Sequence, residues 1–167
     1  MTGPAVTSDW ERLLSNIPLP EQNLVGIAAG AVLQRLVRSR LSAPSARVPV
    51  LFHAAGLAAL GAGGTLVVWA WFAARGVRLA TPGVLLTSGP YAFSRNPMYV
   101  GWALVHLGIG LMRGNCWILA ALPAASAAVH REVLREEERL AGLFGDSYMK
   151  YRQGVPRYVG LRMSDPH

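Results

Sequence analysis

The residues with the clearest chemical potential surround Arg95, immediately before a predicted helix. Pro97 suits the first turn of a helix, because the N–H that proline lacks would have no partner there. The start of this helix places free N–H groups and a partial positive charge beside Arg95 and Asn96, where a carboxylate or phosphate could bind. Tyr91 and Tyr99 add aromatic faces for stacking or for holding a cation. A basic and aromatic belt at a membrane interface has the same composition, so both interpretations stay open.

Three consecutive carboxylates form a second candidate site on an amphipathic helix. At 100° per residue, Glu136 and Glu137 lie on either side of the centre line of an apolar stripe within residues 129–144, whereas Glu138 points to the opposite face with Arg131 and Arg135. Glu138 is therefore predicted to be a solvated ion-pair partner. A carboxylate on a buried stripe needs a partner. For Glu136 and Glu137, periodicity leaves two options open. One is a salt bridge to Arg95 or to a tail arginine, and the other is a ligand site.

The remaining polar candidates are weaker. His53 and His106 lie within apolar segments, where a hydrogen bond to a neighbouring helix is the simpler interpretation and a functional role the alternative. We interpret His130 as interfacial and His167 as a tail residue. Cys116 is the single cysteine and has no neighbouring Cys or His, so the sequence predicts neither a disulfide nor a metal site.

The composition predicts a membrane protein. Hydrophobic residues make up 52% of the 167 residues and charged residues only 15%, which argues against a disordered, fibrous or ordinary soluble protein. The net charge of +7 suits nucleic acid or an anionic membrane surface. Because the chain is so apolar and no groove-reading motif accompanies the charge, we expect a lipid bilayer as partner and no nucleic acid.

Three uncharged runs are long enough to be candidate membrane spans. Residues 48–74 form the clearest one, and residues 96–112 and 114–130 are near the short end of the spanning range. Between the last two, residues 113–115 are predicted to form a tight turn, so the two runs make a helical hairpin. The hairpin returns the chain to its starting side of the membrane.

A shorter run, residues 22–34, completes the predicted fold. Gly26 and Gly30 give it a small-xxx-small pattern suited to close helix packing, although an interfacial helix is the alternative. We therefore predict a single all-α membrane domain, residues 1–167, with about four transmembrane helices.

The predicted topology puts the N-terminus, the segment before the hairpin and the C-terminal tail on the cytoplasmic side, which holds 11 of the 16 basic residues. Several prolines and glycines, including Pro82, Gly83, Gly89, Pro90 and Pro97, predict a loop over residues 75–97. An amphipathic helix follows His130, Gly145 is its stop signal, and residues 146–167 form a basic, aromatic tail.

Two motifs in this order resemble those of the isoprenylcysteine carboxyl methyltransferase and phospholipid methyltransferase family of integral membrane enzymes. The resemblance covers residues 81–157 and rests on these residues: Gly89-Pro90-Tyr91, Arg95-x-Pro97-x-Tyr99-x-Gly101, Glu136-Glu137-x-x-Leu140, Phe144-Gly145-x-x-Tyr148-x-x-Tyr151 and Val155-Pro156-Arg157. An apolar stretch of hairpin size separates the two motifs.

This resemblance implies S-adenosylmethionine as methyl donor, bound on the cytoplasmic side, and a lipophilic acceptor that enters from the membrane. Arg95 could then hold the cofactor's carboxylate, and Glu136 or Glu137 its ammonium or ribose hydroxyls. The expected cofactor-binding residues are Tyr91, Arg95, Asn96, Pro97, Tyr99, Glu136 and Glu137, with Arg95 and Glu137 also assigned to the catalytic centre. Methyl transfer depends mostly on positioning and desolvation, and needs no metal.

The acceptor stays open. A prenylcysteine carboxylate, a phospholipid amine and a small thiol are all compatible with the resemblance. Many relatives carry His where this chain has Asn96, which cannot titrate near neutral pH, so an acceptor that must lose a proton is less well supported. The alternatives are an NADPH-dependent membrane reductase, with S-adenosylmethionine replaced by NADPH, and a non-enzymatic membrane protein.

Overall fold

The computed structural model describes residues 21–38, 47–75 and 83–160, and every regular element in them is helical. The predicted all-α class is therefore confirmed for this part of the chain. The elements are α1 (Glu21–Leu36), α2 (Arg47–Ala74), a 3-10 turn (Gly89–Ala92), α3 (Pro97–Arg113), α4 (Cys116–Phe144) and α5 (Asp146–Gly154). The predictions for residues 1–20, 39–46, 76–82 and 161–167 lie outside the described residues.

The predicted hairpin is formed by α3 and α4, joined at Gly114 and Asn115. Gly114 ends α3 in the left-handed conformation, with φ of 54°, which glycine adopts without a steric penalty. The Asn115 side chain then accepts hydrogen bonds from the backbone N–H groups of Trp117 (2.9 Å) and Ile118 (3.1 Å), which caps the start of α4. The Pro97 prediction is also confirmed, because this residue begins α3.

The helices approach one another closely at small residues. A Cβ atom on Gly63 of α2 would stand only 2.6 Å from the carbonyl oxygen of Gly101 in α3. On α1, a Cβ on Gly30 would stand 2.6 Å from the backbone nitrogen of Ile118 in α4. The small-residue face predicted for α1 is therefore its packing face, as expected where close backbone contact holds helices together.

The second half of the hairpin differs from the prediction. The sequence predicted a span ending at His130 and a separate amphipathic helix after it, but α4 runs without a break over 29 residues. Gly145, with φ of 49°, ends α4 as predicted. The tail then forms α5, a nine-residue helix that the sequence patterns did not predict. An isolated helix of this length is at best marginally stable in water. The stability of α5 therefore depends on the burial of Tyr148, which is 1% exposed.

One described helix, α2, is long and apolar enough to cross a bilayer, over Pro49–Ala74. Its large apolar side chains point outward, including Leu51, Val68 and Phe72. Helix α3 has 17 residues, near the lower limit for a span, and α1 has 16. The outward apolar faces are what helices in lipid present, since lipid tails solvate them without cost.

Candidate functional site

Arg95 is held between the 3-10 turn and α3, with its side chain buried. Its backbone N–H donates to the carbonyl of Pro156 at 2.9 Å, which ties this segment to the tail. Its Nη1 lies 3.0 Å from Oε1 of Glu137 and donates to the hydroxyl of Tyr148 at 3.3 Å. Of the two roles that the sequence left open for the glutamates, the salt bridge to Arg95 is present in the structure.

Glu137 also binds a tail arginine. Nε and Nη2 of Arg157 donate to its two carboxylate oxygens, both at 2.9 Å. Burial alone would raise the pKa of Glu137, but the hydrogen bonds from Arg157 and the positive charge of Arg95 outweigh it, so the pKa lies below the usual value. We call Arg95, Glu137, Tyr148 and Arg157 the charge cluster. It joins four elements that are up to 62 residues apart in sequence.

The tail lies against the segment that precedes α3. The carbonyl oxygen of Arg157 accepts from Asn96 Nδ2 at 3.2 Å and from Ser94 Oγ at 3.3 Å. The hydroxyl of Tyr151 donates to the carbonyl of Tyr91 at 2.7 Å. The Asn96 side chain therefore holds the tail in place. This contact accounts for an amide at position 96, and it requires no proton transfer by Asn96.

The three glutamates differ more than the helical periodicity predicted. The side chain of Glu137 is 8% exposed, whereas that of Glu136 is 40% exposed and lies 3.6 Å from Arg139. Glu138 is exposed, as predicted. The arginine expected beside Glu138, Arg135, instead donates to Glu132 at 2.8 Å. Only one glutamate of the expected pair therefore belongs to the charge cluster, and Glu136 stays accessible.

The predicted aromatic residues divide between two places. Tyr91 packs against the buried cluster of Ala70, Ala74 and Met98. Burial, together with the neighbouring Tyr99, raises the pKa of Tyr91 to about 12. Tyr99, which is near enough to affect the pKa of Tyr91, lines a cavity. Both phenols stay protonated at neutral pH, so they can act as hydrogen-bond donors as well as aromatic surfaces.

That cavity is an apolar groove of about 560 Å³ between α1, α3, α4 and the tail. Its lining includes Asn23, Tyr99, Leu107, Leu122, His130 and Tyr158. No Asp, Glu, Lys or Arg lines it among the described residues. The volume falls within the usual range for small-molecule sites. The groove meets the charge cluster through the tail, since Tyr158 lines the groove and its neighbour Arg157 binds Glu137.

His130 and Tyr158 form a contact that the sequence patterns did not predict. Nδ1 of His130 lies 2.9 Å from the hydroxyl of Tyr158 at the end of the groove nearest the tail. Burial raises the pKa of Tyr158, although the charge of Arg157 acts in the opposite direction. One feature of the sequence could have pointed to His130 as a site residue. It lies seven residues, or about two helical turns, before Glu137, so the two side chains share one face of the helix.

The other histidines have structural explanations. The His106 ring is fully buried, with Nδ1 3.1 Å from Oδ1 of Asn23 and Nε2 3.0 Å from the carbonyl of Ile118. It therefore connects three helices, which confirms the predicted hydrogen bonding to neighbouring helices. His53 instead contacts the carbonyl of Pro49 in its own helix at 3.1 Å and faces outward.

Comparison with known proteins finds one matching family model and several curated relatives. The family model for Phospholipid methyltransferase matches residues 51–147. The chain is 38% identical over 80 residues to "Protein-S-isoprenylcysteine O-methyltransferase" of Schizosaccharomyces pombe, covering 47% of this chain and 34% of the relative. It is 37% identical over 73 residues to the Xenopus laevis protein of the same name, covering 43% of this chain and 25% of that one.

A third relative has a different name. "Cobalt-zinc-cadmium resistance protein CzcN" of Cupriavidus metallidurans is 34% identical over 74 residues, covering 44% of this chain and 34% of the relative. The chain thus spans a quarter to a third of the length of these curated relatives.

Proposed function

Because the chain belongs to the phospholipid methyltransferase family, we propose that it is a membrane methyltransferase that uses S-adenosylmethionine. The observation that carries this proposal is the junction between the charge cluster and the apolar groove at Arg157 and Tyr158. A polar, charged site next to an apolar groove suits a reaction that joins a water-soluble cofactor to a lipophilic acceptor. The expected reaction face is the cytoplasmic one.

The residues present fit the cofactor at two points. Nε of Arg95 is a buried donor with no hydrogen-bond partner among the described residues, and it is available for the cofactor carboxylate. Glu136 is accessible and suits the ammonium or ribose hydroxyls, whereas both oxygens of Glu137 already accept from arginines. When bound, S-adenosylmethionine supplies a methyl group on a sulfonium centre.

The remaining site residues position and shield the reaction. Tyr91 is proposed to supply an aromatic surface on the cofactor side, and Tyr99, which lines the groove, one where cofactor and acceptor meet. Pro97 fixes the start of α3, and Asn96 holds the tail through the carbonyl of Arg157. Glu137 is then a positioning residue that orients Arg95. Methyl transfer is an in-line displacement, so holding the two reactants in line and away from water provides most of the acceleration.

The acceptor's chain is proposed to lie in the apolar groove, with its reactive head beside Tyr158. Two of the relatives above carry names that specify isoprenylcysteine. A prenylcysteine carboxylate, a phospholipid amine and a lipophilic thiol each combine an apolar chain with a head group that can take a methyl group. We place α1–α4 across the membrane as four helices, with the ends of the α3–α4 hairpin and the tail on the cytoplasmic side.

Titration of S-adenosylhomocysteine into the purified protein in detergent tests the proposal, with NADPH titrated in parallel. We expect S-adenosylhomocysteine to bind. Glu136→Gln should weaken binding by about 1–3 kcal/mol, the contribution of a hydrogen bond to a charged group, with little change in apo melting. Glu138→Gln is the matched control, because its side chain is exposed. Binding of NADPH alone would contradict the proposal in favour of a reductase.

A further inference from the structure

The apolar groove has a deep end inside the α3–α4 hairpin. Leu107 precedes the Gly114-Asn115 turn by seven residues and Leu122 follows it by seven, so these two lining residues lie at one depth. At the end nearest the tail, Tyr99 precedes the same turn by fifteen residues and His130 follows it by fifteen. The two levels are eight helical residues apart, so the groove is about 12 Å long.

The first turn of α1 closes this deep end. Among the described residues of α1, Asn23 alone lines the groove, and its side chain contacts the ring of His106 at 3.1 Å. One turn further along α1, a Cβ on Gly26 would stand 2.9 Å from the His106 ring and 3.5 and 3.6 Å from the Cβ atoms of Ala121 and Ala125. Beyond Asn23, the space between α3 and α4 is therefore filled by α1 itself.

Asn23 is a rigid wall rather than an adaptable one. It is 2% exposed, and its partner His106 is also held by the carbonyl of Ile118 at 3.0 Å. If the Asn23 side chain moved aside to admit a longer ligand, it would leave buried polar atoms without partners, which costs more than moving an apolar side chain. The end wall is therefore fixed by hydrogen bonds and not only by packing.

We propose that Asn23 is a specificity-determining residue that limits the apolar chain of the acceptor to about 12 Å, or about ten carbons of an extended chain. This inference rests on the proposed function, which places that chain in the groove. It adds the length of the chain and the residue that sets it, whatever the head group is.

A longer chain has to leave the groove sideways. Ser126 and Ala127 line the groove but are exposed, so this side is open to the surroundings of the helices. A chain that bends out there keeps its contact with lipid but loses close packing against α3 and α4, and in a membrane such packing is what favours the bound position. Chains that end at Asn23 should therefore occupy the groove best.

The test measures occupancy of the groove without methyl transfer. Ser126→Cys in a Cys116→Ala background supplies a reporter thiol in the groove lining. The probes are N-acetyl-S-alkylcysteines with straight chains of about six to eighteen carbons, a range on both sides of the expected limit. The protein is placed in lipid nanodiscs, and protection of the thiol from N-ethylmaleimide is measured at a fixed ratio of probe to lipid. Protection should be strongest near ten carbons and at least about fivefold weaker at about sixteen.

Substitutions at Asn23 should move this optimum in both directions. Asn23→Gln adds a methylene to the wall and should shorten the preferred chain by about one carbon, whereas Asn23→Ser should lengthen it by about two. Both variants keep a hydrogen-bonding group for His106. The control is Leu24→Ala, because Leu24 is 46% exposed and outside the groove lining, and it should keep the wild-type optimum.

A purely structural role for Asn23 gives a different result. It would lower the melting temperature of Asn23→Ser and Asn23→Gln and leave the preferred chain length where it is. If neither variant folds, Leu122→Ala decides, because it shortens a side chain at the same depth and should lengthen the optimum by about two carbons. Protection that does not depend on chain length, or an optimum that none of these substitutions moves, would overturn the inference.

Binding of S-adenosylhomocysteine is measured separately. If the wild type does not bind it, the proposed function fails, and the protection profile alone decides whether the groove ends at Asn23. If the wild type binds it but the profile is flat, the proposed function stands and the length limit is wrong.

Discussion

Glu137 is the residue on which the charged groups of the site converge. Its two oxygens accept three contacts from Arg95 and Arg157, at 2.9 to 3.0 Å. A buried carboxylate is stable only with such compensation, and the two guanidinium groups in turn depend on it. The arrangement connects the segment before α3 to the tail, so this single side chain contributes to both the local geometry and the overall stability.

The first prediction concerns acid sensitivity. At pH 7, Glu137→Gln should reduce the stability of the apo protein in detergent by about 3–5 kcal/mol, because the buried Arg95 and the partly exposed Arg157 both lose their anion. Folding lowers the pKa of Glu137, so its contribution is complete above the unfolded value of about 4.3 and is lost as pH falls through the lower folded value. Melting temperatures between pH 7 and 3 measure both effects.

Glu138→Gln provides the control, since this carboxylate is exposed and should change stability little. The wild type and this control should lose more stability on acidification than Glu137→Gln does. Equal acid sensitivity in all three proteins would show that Glu137 is not held ionised by the arginines.

The second prediction concerns Arg95, which contacts Glu137 through Nη1 and keeps Nε without a partner among the described residues. Arg95→Ala should destabilise the apo protein by about 1–3 kcal/mol rather than the full cost of a stranded charge, because Arg157 still pairs with Glu137. Arg95→Lys keeps the charge but loses Nε, so S-adenosylhomocysteine should bind more weakly. Apo melting and calorimetric affinity separate the two roles. A large melting loss with unchanged affinity would leave Arg95 a purely structural residue.

At the scale of elements, the contact between α2 and α3 depends on the absence of side chains. Gly63 faces the backbone of Gly101 so closely that an added Cβ would stand 2.6 Å from its carbonyl oxygen. By contrast, a Cβ on Gly61, two residues away on the same helix, meets nothing within 4 Å. The two glycines therefore differ in packing but share the same helix, which makes them a matched pair.

The third prediction uses this pair. Gly63→Ala should destabilise the protein by about 1–3 kcal/mol, because the two helices must separate to relieve the overlap. Gly61→Ala should be neutral or stabilising by up to about 1 kcal/mol, since alanine is the better helix former. Thermal unfolding in detergent measures both. Equal effects of the two substitutions would mean that the helices are not packed as closely as described.

At the scale of the whole molecule, the tail and the segment before α3 must lie on one side of the membrane. The backbone N–H of Arg95 donates to Pro156, and Asn96 donates to Arg157. These contacts require α3 and α4 together to return the chain to the side from which it started. From the distribution of basic residues, the positive-inside rule predicts that this side is the cytoplasmic one.

The fourth prediction tests this topology. Single cysteines at Ser88 and Gly154, in a Cys116→Ala background, should both react with a membrane-impermeant thiol reagent from the cytoplasmic side only. Both positions flank the tail contacts, and in the described structure they lie outside α2, α3 and α4. Labelling from opposite sides would show that one half of the hairpin does not span the membrane, and would contradict the four-helix arrangement.

The sequence determined the helices and the turn between them, because those features depend on local rules. Uncharged runs predicted α2, α3 and about the first half of α4, and the Arg113-Gly114-Asn115 turn formed as expected. The continuity of α4 past His130 and the presence of α5 were not predicted. A change from an apolar to an amphipathic pattern does not by itself end a helix, and a nine-residue helix forms only once Tyr148 is buried.

The candidate site shows the same division. Periodicity correctly placed Glu137 on the buried face and Glu138 in solvent, and a salt bridge to Arg95 was one of the options that it left open. It did not separate Glu136 from Glu137, or pair His130 with Tyr158, 28 residues away. Helical periodicity reports the direction in which a side chain points, but the partner that it meets depends on how the elements pack. Only the tertiary structure therefore decided which charges are paired and which polar atoms remain free to bind.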